Sequence, residues 1–172
     1  MVYKQLVVHP RNAMAGALAF CAAAKQNKAQ EMNNLLWDKG FKGRQMDTSD
    51  VPAAEGQGSD KGPQKCWDTA EGCKFVVGFA QELQLNVDKF KADMKGDCVG
   101  FVQKDMKELG QFSVNATPGF FVNGRFLSGA QPIENFITLI DEELKKANER
   151  GGGAGYYQTW VMEKGLKSLA GN

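Results

Sequence analysis

The chain has 172 residues, with 42% apolar and 24% charged side chains, an ordinary composition for a globular domain with a true core. Its formal charge of +1 gives no field that would draw it to nucleic acid or to an acidic membrane surface. No apolar run approaches the roughly 18–20 residues of a membrane span, and a single histidine excludes a multi-histidine metal centre.

Residues 2–8, Val-Tyr-Lys-Gln-Leu-Val-Val, have β character with partial alternation and predict a strand. The chain enters it directly from Met1, with no signal peptide expected. His9-Pro10 breaks the strand, which makes His9 a turn residue. Residues 12–38 predict an Ala-rich helix or helix pair. Met14, Ala17, Leu18, Cys21 and Ala24 recur at three- and four-residue steps and define a buried stripe, with Cys21 a core thiol on it. Met32, Leu35, Leu36 and Trp37 continue the helix until Gly40 and Gly43 end it. Residues 43–65 hold Gly, Ser, Asp and Pro and predict a surface loop. Its acids Asp47, Asp50 and Glu55 read as solvated groups rather than a cation site.

Asp68 and Glu71 have capping-box spacing and predict a helix start, with Phe75, Val76, Phe79 and Leu83 turned inward. Asn86 predicts the cap of a short helix through Met94. A further helix at 97–109 carries Val99, Val102, Met106 and Leu109 inward, with Gly110 as its stop. Phe120-Phe121-Val122 and Arg125-Phe126-Leu127 are β-prone runs separated by Asn123-Gly124. That dipeptide supplies the positive φ values of a two-residue type I′ turn, so the segment predicts a β-hairpin. Thr117-Pro118 stands just before it, where proline cannot donate to a ladder. Pro132 opens a last core helix to about Asn148, with Ile133, Phe136, Ile137, Ile140 and Leu144 facing the sheet. Residues 151–155 read as a Gly-rich linker. Residues 156–172 then hold a small helix, with Tyr157, Trp160, Val161 and Leu169 on a sticky face.

Four cysteines allow three pairings. On one straight helix Cys66 and Cys73 would lie about 10 Å apart, too far to bridge. With Asp68 as a cap, Cys66 falls outside the helix and a structural Cys66–Cys73 disulfide becomes feasible. Cys73–Cys98 and free thiols remain open. Cys98 begins a helix, where the dipole favours thiolate, and reads as either a structural or a reactive cysteine. No Cys-x-x-Cys occurs in the chain.

The ordered string Thr117-Pro118, Phe120-Phe121-Val122-Asn123-Gly124-Arg125 and Gly129-Ala130-Gln131-Pro132 resembles the C-terminal half of a thioredoxin fold, most closely the DsbA-like branch of thiol–disulfide oxidoreductases. The strand, His-Pro turn and first helix, together with Asn86-Val87-Asp88-Lys89-Phe90-Lys91-Ala92-Asp93, are similar too, over about residues 2–148. The resemblance implies an α/β, thioredoxin-like domain at 1–150 with a helical insertion at about 12–111. It implies a cis Pro118 whose loop faces a redox-active disulfide. It implies substrate binding of an extended peptide or unfolded protein by Ala116, Thr117 and Pro118, no cofactor, and a periplasmic or other extracytoplasmic setting where disulfides persist.

The family's catalytic Cys-x-x-Cys lies upstream of the strand matched by residues 2–8. The expectation is therefore an N-terminally incomplete domain with no catalytic residue of its own. Without its central strand, flanking main-chain groups would be left unpaired at roughly 1–3 kcal/mol each, which predicts a homodimer through exposed strand edges. The rival expectation is a redox-inactive peptide-binding module or dimerisation unit.

Overall fold

Alanine decides how the helices of the N-terminal part approach each other. The computed structural model describes residues 2–52 and 63–165, and the chain divides into two units, Met1–Lys107 and Glu108–Asn172. In the first unit α1 (Pro10–Ala24) buries Ala15, Ala17, Leu18, Ala19, Ala22 and Ala23. These face several directions, so the helix is enclosed rather than laid on a surface by one stripe. Ala24 is exposed and Met14 only half-buried, a departure from the expected stripe. After a turn with Asn27 at φ 60°, α2 (Ala29–Leu35) runs on into a π-helical segment, Leu36–Lys42. Gly43 ends it, while Gly40 lies within it.

Around α1 pack α3 (Lys74–Glu82), α4 (Val87–Lys95) and α5 (Asp97–Gln111). They contribute Val76, Phe79, Phe90, Met94, Cys98 and Val102 to the core. Asn86 caps α4, its Oδ1 accepting from the Lys89 N–H at 2.9 Å. The stop after α5 falls at Ser113, with φ 55°, rather than at Gly110.

Residues 2–7 form no ladder among the described residues, a correction to the expected strand. A strand exists only through a partner, and here other groups satisfy the segment. The Gln5 N–H donates to Asp105 Oδ2 at 2.9 Å, Lys4 pairs with the same carboxylate at 3.0 Å, and Val7 is buried.

The loop after α2 is more ordered than its composition suggests. β1 (Asp50–Val51) and β2 (Gln64–Lys65) form a short antiparallel pair. Ser49 joins three elements. Its N–H donates to the Arg11 carbonyl at 2.7 Å, its hydroxyl donates to the Pro10 carbonyl at 2.6 Å, and its carbonyl accepts from Cys66 at 2.8 Å. The expected cap at Asp68 is absent, because Cys66–Asp68 is a 3₁₀ turn and α3 starts after Cys73. Asp47 takes the capping role from a distance. Its Oδ1 accepts from Phe75 N–H at 3.0 Å and its Oδ2 from Val76 N–H at 2.9 Å.

Two disulfides staple this unit. Cys66–Cys73 spans a sequence separation of 7 with Cα atoms 4.8 Å apart. Cys21–Cys98 spans 77, with Cα atoms 5.7 Å apart, and corrects the expectation of a core thiol at Cys21 and of a possible Cys73–Cys98 bond.

In the second unit β3 (Gly119–Val122) and β4 (Arg125–Ser128) form an antiparallel hairpin, followed by α6 (Ile133–Glu149). Gly151 and Gly152 have positive φ, and α7 (Gly153–Tyr156) continues into a π-helical Tyr157–Met162. On α6 the expected inward residues Ile133, Ile137, Ile140 and Leu144 are exposed, while Leu139 and Glu143 are buried. A two-stranded ladder is too narrow to cover a wide helix face.

Loop-closure entropy predicts unequal disulfides. Replacing Cys21 and Cys98 by alanine is expected to lose about 4–5 kcal/mol, and replacing Cys66 and Cys73 about 2 kcal/mol, in urea unfolding. Asp47→Ala, which uncaps α3, is expected to cost about 1–2 kcal/mol in the same measurement.

Candidate functional site

The site is built on the hairpin. Asn123 at φ 49° and Gly124 at φ 86° close the two-residue turn, and the register pairs Gly119 with Ser128, Phe120 with Leu127, Phe121 with Phe126 and Val122 with Arg125. The Thr117–Pro118 bond is cis. The Pro118 carbonyl accepts from the Gly129 N–H at 2.8 Å, which ties the loop to the open end of the ladder. Ala116, Thr117 and Pro118 are exposed together at the entrance to β3. The main-chain groups of Thr117 carry no hydrogen bond among the described residues.

Side-chain alternation gives the hairpin two different faces. Phe120 meets Phe136 of α6 edge-on at 4.9 Å between centroids, and Arg125 reaches Glu142 and Glu143 on the same helix. The opposite face carries Phe121 and Phe126, with ring centroids 4.9 Å apart, and Phe112 against Phe121 at 5.9 Å. Gly119 leaves room there. A Cβ added to it would come within 3.1 Å of the Phe126 ring. Phe121 and Phe126 remain 44% and 45% exposed, so this face is an accessible aromatic surface. Among the described residues β3 pairs only with β4. Alternate N–H and C=O groups along its other side therefore point away from the ladder, as an extended chain would require for strand addition.

The clamp from β4 to α6 is electrostatic. Glu143 is buried and accepts from Arg125 at 3.3 Å and from Lys146 at 2.7 Å. Burial pushes the Glu143 carboxyl up, but Lys146 and Arg125 outweigh it and hold it below the usual carboxylate range. The Arg125 guanidinium is raised in turn by Glu142 and Glu143. A shallow cleft beside this clamp is lined by Arg125, Leu127, Asn135, Thr138 and Leu139.

The other candidates lie elsewhere. Cys66 and Cys73 are bonded, with only 3% and 0% of their surface exposed. His9 is exposed, and its carbonyl accepts from Asn12 and Ala13 at the start of α1. Asp47 caps α3 and Asp50 pairs with Lys65 at 2.5 Å, so these two acids serve different partners, while Glu55 lies outside the described residues. Trp160 is flanked by the Arg150 guanidinium at 4.5 Å and the Lys164 ammonium at 3.9 Å. Tyr157 is exposed, and Leu169 lies outside the described residues. Sequence reasoning missed Glu143 and the Cys21–Cys98 bond. The signal for the first is an acid at an inward position of α6. Cys21 and Cys98 both fall on helix faces that turn inward, but nothing local marks a bond across 77 residues.

Residues 1–142 match the family model described as Thioredoxin, and the chain belongs to that family. It is also 32% identical over 69 residues to the Na(+)/H(+) antiporter NhaA of Herminiimonas arsenicoxydans, a stretch covering 40% of this chain and 11% of that protein. The chain thus matches about a tenth of that curated relative's length. No solved structure matches. Among the described residues no helix is long and apolar enough to cross a membrane.

The clamp makes the hairpin acid-sensitive with a defined sign. A depressed carboxyl contributes stability that is present above the ordinary Glu range and is lost as pH falls through the lowered folded value. Hairpin amide protection factors are expected to drop on acidification. Glu143→Gln is expected to lower them at neutral pH and to flatten the acid dependence.

Proposed function

We propose that this member of the thioredoxin family acts in DsbA-like thiol–disulfide exchange on polypeptides, holding an extended segment of an unfolded protein along β3 beside Thr117 and Pro118. The observation that carries the reading is the open side of β3, which meets an exposed cis-proline loop and the Phe121 and Phe126 rings at one place. Main-chain hydrogen bonds to an added strand are indifferent to sequence, and the aromatic rings favour apolar side chains. That combination suits a substrate class defined by being unfolded. A Cys-x-x-Cys partner for the loop would come from outside these 172 residues, since the chain contains none. The proposed setting is periplasmic or otherwise extracytoplasmic, in keeping with four cysteines all held in disulfides.

The second reading is a redox-inactive peptide-binding module or dimerisation unit on the same fold. It is favoured by the lack of a Cys-x-x-Cys within these 172 residues, the pair that performs exchange in the first reading. A homodimer belongs to either reading, with the strand edge and the exposed Ile133, Ile137, Ile140 and Leu144 as the surfaces available to it.

Fluorescence anisotropy with a labelled, unfolded, apolar peptide tests the site. Saturable binding is expected. Thr117→Pro, which removes a main-chain donor, and Phe121→Ser are each expected to weaken it by about tenfold, while far-ultraviolet circular dichroism is unchanged. Binding that survives both substitutions overturns the site. Insulin reduction separates the two readings, with turnover expected only where a Cys-x-x-Cys is supplied.

A further inference from the structure

The exposed apolar stripe of α6 lies beside the open edge of β3, on the side away from β4. At about 100° per residue, with Phe136 as origin, Glu143 and Leu139 lie just to one side, followed by Asn135, Glu142 and Thr138. That is the side of β4. Arg125 reaches Glu142 and Glu143, and Arg125 and Leu127 line the shallow cleft with Asn135, Thr138 and Leu139. β3 meets Phe136 itself, through Phe120. Ile140, Ile133, Leu144 and Ile137 fall between about 40° and 100° on the other side. They are 48%, 64%, 56% and 52% exposed. The helix also runs alongside β3, because Phe120 meets Phe136 and Arg125, the partner of Val122, meets Glu143 two turns further on. Adjacent strands lie about 4.8 Å apart and a helix with its side chains is about 10 Å wide. A strand added one spacing beyond β3 would therefore lie over this stripe.

The edge itself says what kind of chain fits there. The Val122–Arg125 pair closes the turn, so Phe120 and Val122 direct their main-chain groups to β4, and Gly119 and Phe121 direct theirs to the open edge. Only an extended chain meets those groups at strand spacing, and a helix packed on the stripe leaves them unpaired. A second copy meeting stripe to stripe has that defect. In an antiparallel pairing it also brings together the rows of Glu134 and Asp141, exposed acids that border the stripe and form no ion pair among the described residues. An added strand presents two faces. Side chains on one meet Phe121 and Phe126, and side chains on the other meet the α6 stripe. Both surroundings are apolar, so successive residues, rather than alternate ones, gain by being apolar. A basic residue at the end of the run would find Glu134 or Asp141.

We propose, building on strand addition at β3, that the segment accepted there is a continuous apolar run, the pattern of a strand buried on both faces in its own protein. Ile137 and Ile140, level with the stretch of α6 that faces β3, are then specificity-determining residues. Runs of this kind are covered in folded proteins and accessible only while the chain that owns them is unfolded. A surface strand that alternates apolar and polar residues would lay a polar row on one of the two apolar surfaces and bind more weakly.

Two labelled peptides of identical composition test this by fluorescence anisotropy. Both end in lysine. In one the apolar residues are consecutive, and in the other they alternate with serine. The consecutive peptide is expected to bind about tenfold more tightly. Ile137→Gln combined with Ile140→Gln is expected to erase that preference, and Ile137→Leu combined with Ile140→Leu to retain it, with helix content unchanged by circular dichroism. Equal affinities for the two peptides, both weakened by Phe121→Ser, overturn the proposal and leave the β3 site standing. Binding of neither peptide overturns both. A preference that survives the glutamine substitutions also overturns the proposal. So do glutamine variants that dissociate a dimer in light scattering without changing peptide affinity, since the stripe is then a contact between copies.

Discussion

The enclosure of α1 is the constraint on which the first unit depends. Of its six buried residues, five are alanine. Small side chains let neighbouring backbones come close, but each removes little apolar surface from water, at about 25 cal/mol per Å². Phe90, Met32 and Met94 supply bulk that α1, with Leu18 as its one large buried side chain, does not. A core of this kind gains precision of packing more than hydrophobic free energy, and covalent links then matter more. Cys21 ties α1 directly to α5, and Cys66–Cys73 holds the approach to α3. A disulfide that closes a long loop acts mainly by restricting the unfolded chain, so it supplies stability without enlarging the core.

Main-chain satisfaction explains why a loop of polar composition is ordered beside that core. The amides of Phe75 and Val76 need acceptors at the start of α3, and the Cys73 side chain makes no capping bond. The acceptors come from Asp47, near the far end of the preceding loop. Ser49 is anchored from the other direction, its hydroxyl and N–H donating to the carbonyls of Pro10 and Arg11 in the first turn of α1. Asp47 completes the start of α3, and that end is completed only if the loop is held, which the Ser49 bonds to α1 help to do. The β1–β2 bridge and the Asp50–Lys65 pair follow from that anchoring.

Elements specified within a few residues were legible in the sequence. Asn123-Gly124 encodes its own turn, and Asn86 satisfies an amide three positions ahead. The loop of Ala116, Thr117 and Pro118 could be located because the hairpin fixes where it must stand. What escaped depended on a distant partner. Residues 2–8 have strand composition, yet composition cannot supply a neighbouring strand, and Asp105 satisfies Gln5 instead. Asp68 has the right spacing to Glu71 for a cap, but closure of Cys66–Cys73 holds a turn there and moves the helix start to Lys74. Periodicity on α6 identifies an apolar stripe correctly without saying what covers it. The hairpin takes Phe136, and Arg125 draws the buried Glu143 to its side, which leaves Ile133, Ile137, Ile140 and Leu144 in the open.

That last arrangement would suit the strand-accepting surface proposed for the hairpin. An edge that can receive another chain must keep hydrogen-bonding groups uncommitted, and an aromatic face that can receive side chains must stay in water. Both conditions deny the hairpin the burial that usually stabilises a strand pair, and an isolated hairpin is marginal in water. The order of β3 and β4 therefore has to come from elsewhere. Phe120 against Phe136 provides one anchor, and the Arg125–Glu143–Lys146 chain provides another on the same side. Buried charge costs desolvation, and it is tolerable here because Glu143 meets two cations rather than one. With those anchors on one side, Phe121 and Phe126 on the opposite face stay nearly half exposed although Phe112 packs against Phe121, which is the physical condition for the recognition proposed there.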